Sequence, residues 1–177
     1  MLRENFDVWR QAAVTPYQPT DAQLQVPIAA VEATFRMLSA RGPSEACVFW
    51  YGRRDGGNGL VTDVRAPAQV STRFNYHVDE RAFSRMADTI APELRPLEQI
   101  HSHPGKDVEH SPYDDEMVAS RNALSIVFPF YGCNSVAGLT GLGVHEHQHN
   151  YWHLLLPEQA ARRVITIAGQ VHIRDLR

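Results

Sequence analysis

Apolar residues recur at helical spacing in four stretches and alternate at strand spacing in most of the others. Over residues 27–40, Ile28, Val31, Phe35 and Leu38 fall on one face, Pro27 suits a first helical position, and Gly42-Pro43 ends the run. Asp79 can cap a second helix whose stripe is Phe83, Met86, Ala87 and Ile90, closed by Pro92 and Pro96. Ser111-Pro112 opens a third, running to about Asn122, and residues 157–163 form a short fourth. Residues 45–51 are apolar on both faces (Ala46, Val48 and Trp50; Cys47, Phe49 and Tyr51), which predicts a central strand. Residues 53–59 read as a turn, and 60–67, 71–78, 97–102 and 124–130 read as strands. Residues 139–147 and 151–156 read as a hairpin around Gln148-His149-Asn150, and 165–168 with 171–174 as a last hairpin or terminal edge. The pattern predicts one α/β domain of the α+β type over 27–177, a mixed sheet with helices on both sides. Residues 1–26 precede it as an arm with little pattern.

Bulk numbers agree with that picture. The chain has 177 residues, 44% hydrophobic and 21% charged, enough to bury a core. A net charge of −3 gives no reason to expect nucleic acid or an anionic membrane as partner. The first ten residues mix both charge signs without an apolar run, so no signal peptide and a cytoplasmic location are expected. Cys47 and Cys133 sit in apolar, strand-like segments and read as buried free thiols. Lys106 is the single lysine among 17 Lys and Arg residues.

The candidate chemistry lies in Ile100–Asp115, I-H-S-H-P-G-K-D-V-E-H-S-P-Y-D-D. Side chains two apart on a strand share a face, so His101 and His103 can converge. Pro104-Gly105 begins a loop, after which Ser111 reads as an N-cap, Pro112 as the first helical residue and Asp114 as part of the first turn. Two imidazoles and one carboxylate suit a catalytic zinc, which takes three N/O ligands and keeps a fourth position open. The same set also suits a non-haem iron site. Glu45 is an unusual residue at the head of a central strand, because burying an unpaired carboxylate is costly. His145, His147 and His149 form a rival cluster, read as the wet face of a hairpin with Val144 or Trp152 on the buried side. Asp107, Glu109 and His110 lie in the same loop as the candidate ligands.

The string His-Ser-His-Pro, six residues, Ser, two residues, Asp, with Glu45 upstream, resembles the signature of the JAMM (MPN-plus) metalloprotease family. The resemblance spans roughly residues 27–156 and implies a curved mixed sheet flanked by helices, on a cytidine-deaminase-like core. Carried over position by position, it implies His101, His103 and Asp114 as ligands of one zinc, Glu45 as general acid/base and Ser111 as oxyanion stabiliser. It implies hydrolysis, with no covalent intermediate, of the amide bond after the C-terminal glycine of a ubiquitin-like protein. It also implies a bacterial setting with E1-like and E2-like partners. The substrate tail is expected to add as a strand, with 71–78 and 124–130 as candidate edges. Two other readings are a JAMM-like binding module without turnover and a 2-His-1-carboxylate iron oxygenase.

Overall fold

A computed structural model of the chain describes residues 10–118, 120–133 and 139–177. In chain order it runs β1 (Leu24–Pro27), α1 (Ile28–Ser39), β2 (Cys47–Asp55), β3 (Asn58–Ala66), β4 (Val70–Thr72), β5 (Asn75–His77) and α2 (Glu80–Ala87). There follow β6 (Arg95–Ser102), α3 (Pro112–Met117), β7 (Leu124–Phe128), a 3-10 turn (Phe130–Gly132), β8 (Gly143–Gln148), β9 (Tyr151–Leu154), α4 (Pro157–Arg163), β10 (Val164–Ile167) and β11 (His172–Asp175). Nine strands make one mixed sheet in the order β10-β1-β3-β2-β6-β7-β8-β9, with β11 also on β3. β4 and β5 form a separate hairpin.

β2 lies between β3 and β6, antiparallel to both, and its two faces are buried as the double apolar alternation predicts. Val48 and Trp50 pack with Val31 and Leu38 of α1 in the larger core. Cys47, Phe49 and Tyr51 pack on the other face with Tyr76 and with Met86 of α2. Helices therefore cover both faces of an α+β sheet. The strand bulges at Tyr51/Gly52, and a Cβ on Gly52 would sit 1.9 Å from the Leu60 carbonyl oxygen, so only glycine fits there.

Several expected boundaries move, each for a local reason. α1 buries Ala30, Val31, Thr34, Met37 and Leu38, whereas Ile28 is 50% exposed. Thr34 joins the core because its hydroxyl donates to the Ala30 carbonyl at 2.8 Å and accepts the Trp50 indole N–H at 2.8 Å. Pro27 is the residue before the helix rather than its first. α2 buries Ala82 and Met86, leaving Phe83 and Ala87 exposed, and Asp79 caps it by accepting the Ala82 amide. The stretch 53–59 is not a turn throughout: β2 and β3 continue to Asp55 and from Asn58 around Gly56-Gly57. Its exposed Arg53, Arg54 and Asp55 give the strand end a turn-like composition. Residues 71–78 are the β4–β5 hairpin, not one strand. α3 stops at Met117, because Val118 is extended (φ −71°, ψ 106°) and turns its side chain into the core. The expected continuation to Asn122 crosses residue 119, outside the described residues. β7 ends at Phe128, before Pro129 and the 3-10 turn.

The two final strands do not pair with each other. β10 runs parallel to β1 and β11 parallel to β3, because β1 takes the first part of β3's outer edge, at Gly59–Leu60, and leaves Asp63–Ala66 to β11. Cys47 is buried, but Cys133 is exposed beyond the 3-10 turn, not in a strand. The sheet already includes Leu24–Pro27, with Leu24 and Val26 in the core, so the arm ends before residue 24. Residues 1–9 of that arm lie outside the described residues. Further along it, Arg10 pairs with Asp115 at 2.9 Å and donates to the Trp152 carbonyl at 2.7 Å, and Tyr17 donates to Glu146 at 2.7 Å. Those contacts tie it to β8, β9 and α3.

Candidate metal centre

β6 and the loop after it position the two histidines. His101 is the second-last residue of β6, flanked by Cys47 of β2 and Val127 of β7, and is fully buried. Ser102 points to the opposite face, where its hydroxyl accepts the Ala46 amide at 3.2 Å while its own amide donates to the Ala46 carbonyl at 3.1 Å. These bonds fix the chain beside Glu45 to the His-x-His segment. His103 lies just past the strand and is held by Nδ1 donating to the Asp107 carbonyl at 3.1 Å. Since a carbonyl only accepts, the proton is on Nδ1 and the Nε2 lone pair faces inward.

Asp114 is fixed by the start of α3. Ser111 Oγ accepts the Asp114 amide at 3.2 Å, and the Ser111 amide donates to Asp114 Oδ2 at 2.6 Å, a capping box with Pro112 at the first helical position. Here the third box residue is an aspartate that also faces both imidazoles. His101 Nε2 and His103 Nε2 are 3.1 Å apart, and each lies 3.4 Å from one Asp114 oxygen. A tetrahedral zinc with bonds of about 2.05 Å would separate its ligand atoms by roughly 3.3 Å. The His103 lone pair and the Asp114 carboxylate are both acceptors, so a proton or a cation belongs between them. The residues fit a metal. Among the described residues, His101, His103 and Asp114 are the one His/Cys/Asp/Glu group gathered closely enough to hold an ion.

Electrostatics follow the geometry. Burial pulls the His101 imidazole down to about 3, against the opposing Asp114 carboxylate, so the ring is neutral at pH 7. Burial also pulls on His103, but Asp114, Glu45 and the Asp107 carbonyl outweigh it and raise that imidazole above its ordinary value. Burial would raise Asp114, yet His101, His103 and the Ser111 bond hold its carboxyl well below the usual range. Glu45, two residues before β2, is buried, and its amide donates to the Thr72 carbonyl at 2.8 Å. Burial pushes its carboxyl up to about 7, with His103 lowering it and Asp114 raising it. Glu45 thus feels both residues that face each other across the centre.

Comparison with known proteins adds the fold alone. No protein-family model matches the chain, and no curated protein matches it. Among solved structures, the solution structure of protein DSY2949 from Desulfitobacterium hafniense superposes with a TM-score of 0.64 at 15% identity, covering 84% of this chain and 95% of that one. The likeness supports a mixed α+β fold with a sheet flanked by helices.

The rival histidines separate. His145 is fully buried, so β8 does not present it to water, and its ring stacks on His110 at 3.8 Å and 17°. His147 is half-buried and edge-on to Trp152, and His149 is in the exposed turn with φ 50°. Val144 and Trp152 are buried, as expected. His110 stands outside the converging group: its Nδ1 donates to Asp115 at 2.9 Å and its Nε2 accepts from Ser125 Oγ at 2.9 Å. Its ring centroid lies 5.5 Å from that of His101, and the Tyr76 ring centroid lies 5.7 Å from that of His101. Asp107 contributes its carbonyl to His103, while its carboxylate accepts the Glu109 amide. Ser102, Tyr76 and Ser125 were not singled out by sequence pattern, since their roles come from strand register.

Proposed function

We propose that the chain is a zinc peptidase of the JAMM (MPN-plus) type. It hydrolyses the amide bond after the C-terminal glycine of a ubiquitin-like protein, either to release a conjugate or to mature a precursor. The observation that supports this reading best is the convergence of His101, His103 and Asp114 on one point, with the buried Glu45 carboxyl coupled to two of them. An iron-oxygenase reading would leave Glu45 without a task.

Zinc, when bound, would act as a Lewis acid and acidify a water. The chain's own groups do the rest. Glu45, with a carboxyl near neutrality, accepts a proton from the attacking water and returns it to the leaving amine. Ser111 is exposed, and among the described residues its Oγ accepts only the Asp114 amide, so its O–H can donate to the oxygen on which negative charge develops. Asp107 holds His103 with its lone pair inward. Water is the nucleophile, and no covalent intermediate forms.

Of the two candidate strands for the substrate tail, β7 has both edges taken, by β6 and β8. The β4–β5 hairpin remains, next to Glu45 through the Thr72 carbonyl. A glycine-ending tail laid along it would reach the centre without a bulky side chain. E1-like and E2-like proteins are the expected partners of such an enzyme, in a bacterial cytoplasm. No helix among the described residues is long and apolar enough to cross a membrane.

The test uses ubiquitin-like proteins carrying extensions or lysine adducts beyond the terminal glycine, read by intact mass. Protein stripped by chelation and reloaded with zinc should cut after the glycine, while stripped protein should not. Binding of the tails without any cut would turn the reading into that of a binding module. Turnover that requires iron and oxygen would overturn it.

A further inference from the structure

A second site lies at the other end of β6. A cavity of about 530 Å³ opens between the β2–β3 hairpin end, the start of β6, the loop before β7, and the end of α4. Four arginines line it, Arg54, Arg95, Arg121 and Arg163, with Glu146 as the one acidic lining residue. Glu146 is already engaged, accepting from Arg163 at 3.0 Å and from Tyr17 at 2.7 Å. Among the described residues no carboxylate pairs with Arg54, Arg95 or Arg121. Arg54 is held by donating to the Asn122 carbonyl, which ties the hairpin to the loop carrying Arg121. A chain of net charge −3 thus gathers a positive field in one concavity.

Behind the cavity, a narrow cleft shared by Arg54 and Arg163 ends on Glu98, which is fully buried with neither carboxylate oxygen hydrogen-bonded. Burial holds that carboxyl well above its ordinary range, so it does not cancel the arginines; even ionised it would leave the lining cationic. Arg95 is six residues before His101, roughly 20 Å along the strand. Glu98 and His101 are an odd number of residues apart and so lie on opposite faces of the sheet. The cavity is separate from the metal centre.

We propose that this cavity binds a phosphorylated small molecule, with the guanidinium groups of Arg54 and Arg121 around its phosphoryl oxygens and the Arg163–Glu146 pair beside them. Guanidinium forks match phosphate geometry and give charge-assisted hydrogen bonds. The volume falls within the roughly 300–1,000 Å³ of small-molecule sites. No Trp, Tyr or Phe lines it and His147 is the one aromatic ring in its lining, too little stacking surface for successive bases of a single strand. The ligand is a compact phosphate ester or pyrophosphate rather than a nucleic acid.

The test is calorimetric titration of pyrophosphate into chelator-stripped full-length protein, so that no metal captures the anion. Saturable binding at one per chain is expected, weakened about tenfold or more in Arg54→Gln and in Arg121→Gln. Both side chains are exposed, so the fold should survive; Arg85→Gln on α2, also exposed, should leave affinity unchanged. Inorganic phosphate and a sugar phosphate, titrated in parallel, separate a site for the free anion from one for its ester. Unsaturable binding, equal weakening by Arg85→Gln, or no weakening by the two cavity variants would overturn the proposal. Tighter binding of a single-stranded oligonucleotide than of pyrophosphate would overturn it as well.

Discussion

Ser111 and Asp114 exchange hydrogen bonds, the Ser111 amide donating to Asp114 Oδ2 at 2.6 Å and Ser111 Oγ accepting the Asp114 amide at 3.2 Å. One capping box therefore starts α3 and aims a carboxylate at two imidazoles. Removing the hydroxyl should act on both levels. Ser111→Ala is expected to lose about 1 kcal/mol of stability with the cap, and about 10²–10³ in kcat with the donor. Thermal melts and single-turnover rates separate the two. A variant that loses stability but keeps its full rate would remove Ser111 from the chemistry.

Glu45 gives a pH dependence with a definite sign. Its folded carboxyl is raised to about 7 from an ordinary value of 4.5, so between those values the native state keeps a proton that the unfolded state has lost. Metal-free stability should fall as pH rises through that window. Glu45→Gln cannot ionise and should exceed the metal-free wild type at pH 8 by about 2 kcal/mol, read from denaturant midpoints. The same variant should be inactive. Parallel pH–stability curves for the two proteins would contradict this electrostatic account.

His103 links metal binding to pH. Its imidazole is raised by Asp114 and Glu45 despite burial, and a metal must displace its proton. Zinc affinity should fall about tenfold per pH unit once pH drops below that value. Competition titrations with a chromogenic chelator at several pH values measure the slope. A flat profile would mean that His103 is not a ligand.

The Thr34–Trp50 bond is a packing prediction independent of the metal. Both residues are fully buried, and the hydroxyl is the Trp50 indole's partner at 2.8 Å. Thr34→Val keeps the shape but leaves the indole N–H unpaired, at a cost of about 1–3 kcal/mol. Thr34→Ser should retain most of the stability. Equal melting of Thr34→Val and wild type would show that the bond contributes nothing net.

What was legible in the sequence is what short-range pattern determines. The double alternation of residues 46–51 marks β2 as interior, and Ser111-Pro112 marks the start of α3, because a strand's period and a cap's chemistry are local. His-x-His at a strand's end and an aspartate in a helix's first turn are likewise local, so the group of side chains that converges could be read. Register and pairing were not legible. Thr34 is core only because Trp50 crosses it, and β11 joins β3 only because β1 leaves that edge free. His145 reads as solvent-facing by alternation, yet it is buried because β8 sets it beside Ser125 and its ring stacks on His110. The four arginines of the cavity come from four separate segments, and no window of sequence contains them.

The most direct test of the metal centre is the zinc stoichiometry, by native mass spectrometry, of the wild type, Glu45→Gln and Asp114→Asn. An asparagine oxygen can still accept the Ser111 amide, so the last variant removes the carboxylate's charge with least disturbance to the helix start. One zinc is expected in the wild type, one in Glu45→Gln and none in Asp114→Asn. A zinc-free wild type after growth and purification with zinc present, or equal zinc in all three proteins, would contradict the assignment of His101, His103 and Asp114 as its ligands.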